Sequence, residues 1–182
     1  MFNLFKKREP GKKVKDIIWI SCESKWKAII SMAKENDQTI FAFWFENSLQ
    51  QAQNYFQEQQ AVIHIATVTE IRQQSFLQGK PVIFAEHFPL RKKEQETFES
   101  LAMEEATVLS ALDEPLFKRF GSDKIIQLVK QMGMKEEERI EHHLIANAIR
   151  NAQENIEEKV VVSHDAHSQQ EWLEKNLPAG NN

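Results

Sequence analysis

The chain has 182 residues, a formal net charge of −4, 41% hydrophobic residues and 27% charged ones, the composition of a soluble globular domain long enough to bury a core. The acidic balance argues against nucleic acid or an anionic membrane as a general partner, because both demand a basic field. Cys22 is the single cysteine. It leaves no internal disulfide and fits a reducing compartment. With no apolar run of membrane-spanning length and no signal-peptide core after the N-terminal lysines, the expected location is the cytoplasm.

Residues 1–15, MFNLFKKREPGKKVK, read as a flexible basic tail cut off near Pro10-Gly11. Phe2, Leu4 and Phe5 stand beside Lys6, Lys7 and Arg8, a combination able to rest weakly on an anionic membrane surface. From Asp16 the pattern alternates between apolar runs and amphipathic stretches, the signature of a parallel sheet covered by helices. DIIWIS is an extended lead-in, and KWKAIISMAKEN a helix stopped at Asn36-Asp37. Thr39–Phe45 is a continuous apolar and aromatic run, as in a strand buried on both faces. Ala61–Val68, Pro81–His87 and Ala106–Leu112 repeat that pattern, separated by the helical stretches SLQQAQNYFQEQQ, TEIRQQSFLQ and RKKEQETFESLAME.

The punctuation after Leu112 is cleaner. Asp113 is placed to N-cap a short helix, with Pro115 in its first turn. Gly121 and Ser122 end that helix and cap SDKIIQLVKQM, which Gly133 stops. A long amphipathic helix follows, with Ile140, Leu144, Ile145, Ala148, Ile149, Ala152 and Ile156 on one stripe. That stripe is the candidate partner-binding surface: it must fold back on its own sheet or bury itself against a second molecule. Val160, Val161 and Val162 then break the helix. SHDAHSQQEWLEKNLP makes a separate short one, capped by Ser163 or Asp165, anchored by Trp172 and ended by Pro178.

LSALDEPLFKRFGSDKI (Leu109–Ile125), MGMKEEERIEHHLIANAIRNAQENIEE (Met132–Glu158) and, near the other end, KDIIWISCESKWKAI (Lys15–Ile29) resemble, in the same order, the SecA preprotein translocase ATPase family. The similar part of SecA is its second RecA-like motor domain and the start of its helical scaffold. The resemblance implies a three-layer α/β fold of the P-loop NTPase type, a parallel sheet flanked by helices with a C-terminal helical extension. The domains would be a degenerate motor domain over residues 16–134 and, over 135–178, a scaffold-like extension ending in a divergent tail.

What the resemblance implies about catalysis is largely negative. No G-x-x-x-x-G-K-[ST] phosphate loop exists here, and the chain has only five glycines. The family's Gly-Arg-Gly-Thr-Asp loop is replaced by TEIRQQSFLQGK. The family's arginine-rich helix begins here as Arg91-Lys92-Lys93 and then carries Phe98, Glu99 and Leu101 where arginines and glycines belong. A carboxylate facing a γ-phosphate repels it. The expectation is a non-catalytic, SecA-like protein-binding or scaffold module linked to preprotein export, without a cofactor. The alternatives are a nucleotide-binding or ATPase half-site completed in trans, and a helicase-like nucleic-acid-binding fragment, which the missing basic stripe opposes.

The remaining candidates are weaker. Arg91, Lys92 and Lys93 lie near a helix start beyond a strand's carboxyl end and could hold a phosphate; a solvated basic turn is the plainer reading. Glu141, His142 and His143 are adjacent on a helix and point about 100° apart, so they do not share one metal ion. His164 and His167, with Asp165 between them, read as a polar helix start rather than a metal site. Cys22 reads as a packed thiol. The surplus of Phe41, Phe43, Trp44 and Phe45 needs a cover, either the helix around Trp172 or another chain.

Overall fold

The structure, a computed structural model, describes residues 11–73, 79–140 and 143–177, without the side chains of His143 and Leu144. The four apolar runs become strands of one all-parallel sheet. In chain order the elements are β1 (Lys13–Trp19), α1 (Cys22–Glu35), β2 (Ile40–Phe43), α2 (Glu46–Glu58), β3 (His64–Thr67) and α3 (Val68–Gln73). They continue as β4 (Val82–Phe84), α4 (Arg91–Ser100), β5 (Glu105–Ala111), α5 (Pro115–Arg119), α6 (Ser122–Gln131), α7 (His143–Glu157) and α8 (Gln169–Asn176). The strand order is β1-β5-β4-β2-β3. This is the expected three-layer α/β architecture, consistent with a RecA-like fold.

Alternation along each strand sends side chains to opposite faces and so builds two cores. On one face Ile17, Trp19, Phe41, Phe43 and Leu109 meet Ile29 of α1 and Ala52 and Phe56 of α2. On the other, Ile40, Ala42, Ala66, Phe84 and Val108 meet Ile71 of α3 and Phe98 of α4. Phe41, Phe43, Phe84 and Phe98 are all fully buried, each worth about 1.5–3 kcal/mol relative to exposure.

The lead-in DIIWIS proves to be part of a full strand. β1 runs in register with β5 from Lys13↔Glu105 to Trp19↔Ala111, and so begins inside the residues read as a flexible tail. It is an edge strand, which explains its charged start: Lys13 and Lys15 blunt an open edge. Its other side is covered where Ile140 pairs antiparallel with Ile18, through N–H···O bonds of 3.2 and 2.7 Å. Phe2, Leu4, Phe5, Lys6, Lys7 and Arg8 lie outside the described residues.

The caps differ from expectation in two places. α5 is capped at Glu114, and Asp113 instead accepts the Cys22 N–H at 2.8 Å, satisfying an open donor of α1's first turn. α8 is capped by Ser168, whose hydroxyl accepts from Glu171 N at 3.1 Å; Ser163 and Asp165 lie too far upstream. Pro178 falls outside the described residues. Gly121 and Gly133 both adopt left-handed φ, near 80° and 84°, but Ser122 is inside α6 and its hydroxyl donates to Leu112 O. No helix among the described residues is long and apolar enough to cross a membrane.

Candidate functional site

In parallel α/β sheets, ligands bind beyond the carboxyl ends of the strands. Here that edge carries most of the buried ionisable groups. Lys25, from the second turn of α1, donates to Ala85 O at 2.6 Å and to Glu114 Oε1, which also accepts Ala111 N at 3.1 Å. Glu86, just past β4, accepts the N–H groups of Trp44 and Phe45 at 2.9 and 3.0 Å through one oxygen. Burial works against the charge on Lys25, but contact with Glu114 holds its pKa above the ordinary lysine range. Burial lifts Glu86 to about 7, against the pull of Lys25. Burial also pushes the Cys22 thiol far up, which leaves it unreactive as a nucleophile.

A second buried chain of polar groups runs beneath α7. His87 has Nδ1 2.9 Å from Glu94 Oε1 and Nε2 2.9 Å from Asp16 Oδ1. With a carboxylate at each nitrogen, the ring is an imidazolium donating twice. Burial alone would lower its pKa, but Glu94 and Asp16 outweigh it and bring His87 up to about 10. Glu94 also accepts Phe88 N at 2.7 Å. Gln153 of α7 bridges Glu94 and Phe88 O at 2.9 and 2.8 Å.

The edge is then closed by α8. Gln169 accepts Leu116 N at 2.7 Å and donates to His87 O at 2.9 Å, while His167 O accepts Asn47 N at 3.0 Å. Trp172, Leu173 and Leu177 pack with Phe45, Phe88, Leu116 and Ile156. Phe45 and Phe88 stack at 5.5 Å and Trp172 meets Phe88 edge-on at 5.4 Å. Of the four surplus aromatics, Trp44 and Phe45 meet the helix around Trp172, whereas Phe41 and Phe43 are covered by α1 and α2 instead.

The candidate partner stripe is largely internal. Ile149 packs with Ile18 and Leu112, and Ile156 joins the edge cluster; both are buried, as is Trp172. Ile140, Ile145 and Ala152 are half-buried and Ala148 is exposed. Arg91, Lys92 and Lys93 are not gathered into a phosphate site. They reach Glu154 at 3.8 Å, Glu96 at 3.9 Å and Asp165 at 3.8 Å respectively, and Lys93 also sits 4.3 Å from the Phe88 ring centre. His167 pairs with Glu46 at 2.9 Å, whereas His164 binds Asn176 only through its backbone. Glu141 and His142 lie outside the described residues.

Sequence reasoning missed an apolar row on α6. Ile126 and Val129 turn inward, while Phe120, Ile125, Leu128 and Met132 stay exposed, Met132 at 78%. Lys118, Arg119, Asp123 and Lys124, close to these residues in sequence, are exposed as well. It also missed Lys25, Glu86, His87, Glu94 and Glu114. The pair Glu86-His87 directly after the apolar run VIFA was the one available signal.

No family model matches the chain. Over 49 residues it is 45% identical to the protein translocase subunit SecA of Acidithiobacillus ferrooxidans and 39% identical to that of Acetivibrio thermocellus. Over 47 residues it is 45% identical to the SecA of Methylococcus capsulatus. Each matched stretch covers 26–27% of this chain and 5% of the relative. About a quarter of the chain is thus a segment related to SecA.

Proposed function

We propose that the chain is a non-catalytic, SecA-related module that acts by binding protein, in connection with protein translocation. The observation that carries this reading is the exposed apolar set Phe120, Ile125, Leu128 and Met132 along and beside α6, a contiguous stretch of chain that leaves large apolar side chains in solvent. The non-catalytic part is supported by the carboxyl edge of the sheet. Trp172 and its neighbours pack over Phe45, Phe88 and Leu116 there, and the buried acids Glu86 and Glu114 line the rest of that edge, where they would disfavour a nucleotide's phosphates. The link to translocation is supported by the SecA-related segment alone.

The test is cross-linking in native cells, read by mass spectrometry. Lys124 and Lys130 should yield cross-links to a translocation component. The double variant Leu128→Glu/Met132→Glu should lose them while its circular dichroism is unchanged; cross-links that persist in that variant would remove α6 as the binding face. In parallel, Mg-ATP should leave the melting temperature unchanged. A nucleotide at a hundred times its Kd would add about 2.7 kcal/mol, and a shift of that size would favour the half-site reading instead.

A further inference from the structure

Two carboxyls and one ammonium share the wall of a cavity of about 230 Å³ at the carboxyl edge of the sheet. Lys25, Glu86 and Glu114 are all at or below 5% exposure, so their charges must balance one another rather than be screened by water. Lys25 of α1 and Glu114 of the α5 cap form a direct pair. Glu86, just past β4, is the third group, attracted by Lys25 and repelled by Glu114. With a proton on Glu86 the trio is neutral; without it, one negative charge is left over. No other ionised group at the wall offsets that charge. Cys22 of α1 is kept protonated by burial, and α2 and α8 contribute only serine, asparagine and glutamine side chains. His87, next along the chain, is engaged by Asp16 and Glu94 on the far side.

We infer that this cluster is a proton-operated joint beneath α8: protonated Glu86 lets the edge close over a neutral trio, and loss of that proton loosens α8. The geometry couples the two. Glu86 Oε1 holds the N–H groups of Trp44 and Phe45, and Phe45 packs with Trp172 and Leu173 of α8. Gln51 and Gln170, both exposed, mark where the cavity meets solvent between α2 and α8, so an ionised Glu86 gains water by parting those two helices. Burial raises both acids, Glu86 to about 7. That value lies above the ordinary 4.5, so the edge is tightest below pH 4.5 and the advantage is lost as pH rises through about 7. His167 and Glu46 also join α8 to α2, but both side chains are 72% exposed and the pair is correspondingly weak. The joint is separate from α6 and does not depend on what α6 binds.

The experiment follows side-chain carboxyl ¹³C resonances and amide hydrogen exchange of the whole chain across neutral pH. The Glu86 carboxyl should titrate near pH 7, and the amides of Trp44 and Phe45, which donate to it, should shift with the same midpoint. The amides of Trp172 and Leu177 bond to Ser168 O and Leu173 O within α8. Their exchange, corrected for the intrinsic effect of pH, should quicken by up to about tenfold per pH unit below that midpoint and level off above it. Glu86→Gln, neutral at every pH, should abolish the rise, whereas His167→Gln should keep it. If Glu86→Gln does not fold, the coincidence of the carboxyl midpoint with the levelling of α8 exchange in the parent chain decides. A Glu86 carboxyl that stays ionised down to acid pH, α8 exchange that does not respond to pH, or a rise that persists in folded Glu86→Gln would each overturn the assignment.

Discussion

α6 and α7 are neighbours in sequence, both amphipathic, and they meet opposite fates. α7 turns Ile149 and Ile156 into the core and fastens itself through Gln153. α6 buries Ser122 and half-buries Ile126 and Val129, leaving Ile125, Leu128 and Met132 in solvent. Periodicity measures only that a helix has an apolar face. Whether that face is taken depends on what the rest of the chain places opposite it: α7 lies against Ile18 of β1 and against α4, while no described residue covers the outer side of α6.

The contrast can be broken most directly by a buried charge. Ile149→Asp should cost about 4–5 kcal/mol, because the carboxylate has no partner in the cluster of Ile18 and Leu112; a melting curve checks it. Little change in melting temperature would mean that α7 is not seated as described.

Next in size is a pH effect confined to α7's side. The folded pKa of His87, about 10, stands above its ordinary 6.5. Its contribution is therefore fully present below pH 6.5 and is lost as pH rises through about 10, at most about 5 kcal/mol in all. Denaturant midpoints measured across that window should fall, and His87→Gln should flatten the slope. Hydrogen exchange should show α7 losing protection with rising pH well before α6 changes.

Gln153→Ala should be milder, about 1–3 kcal/mol, since it leaves Phe88 O and Glu94 Oε2 each short of a donor. Smallest of all is Leu128→Glu on α6, expected within about 0.5 kcal/mol of the parent because Leu128 is 56% exposed. A larger loss would show that α6 is seated more firmly than its exposure suggests.

Much of this fold was legible before any coordinates. Thr39–Phe45 and Ala106–Leu112 are so continuously apolar that they can only be buried strands, and observed β2 and β5 fall on them within a few residues. β1 was read as extended but not placed in the sheet, because the lysines that protect an edge also disguise it. The cap of α8 was set by Ser168, whose geometry competes on equal terms in sequence with Ser163 and Asp165. The charged cluster was the least legible part. Lys25 lies 60 residues from Ala85 and 89 from Glu114, so no local spacing announces their meeting. At Arg91, Lys92 and Lys93 adjacency in sequence left a phosphate site open beside the plainer reading of a solvated basic turn; successive helical residues diverge, and the three reach three different carboxylates.

The closure of the sheet edge by α8 also sets an order of events during synthesis. Phe45, Phe88 and Leu116 are made early, yet the surface that shields them, Trp172 through Leu177, is made more than fifty residues after Leu116. At about 5–20 residues per second, the nascent chain displays an uncovered aromatic patch for several seconds. During that interval the exposed aromatics invite association, and α8 closes the edge only after the sheet itself has been made.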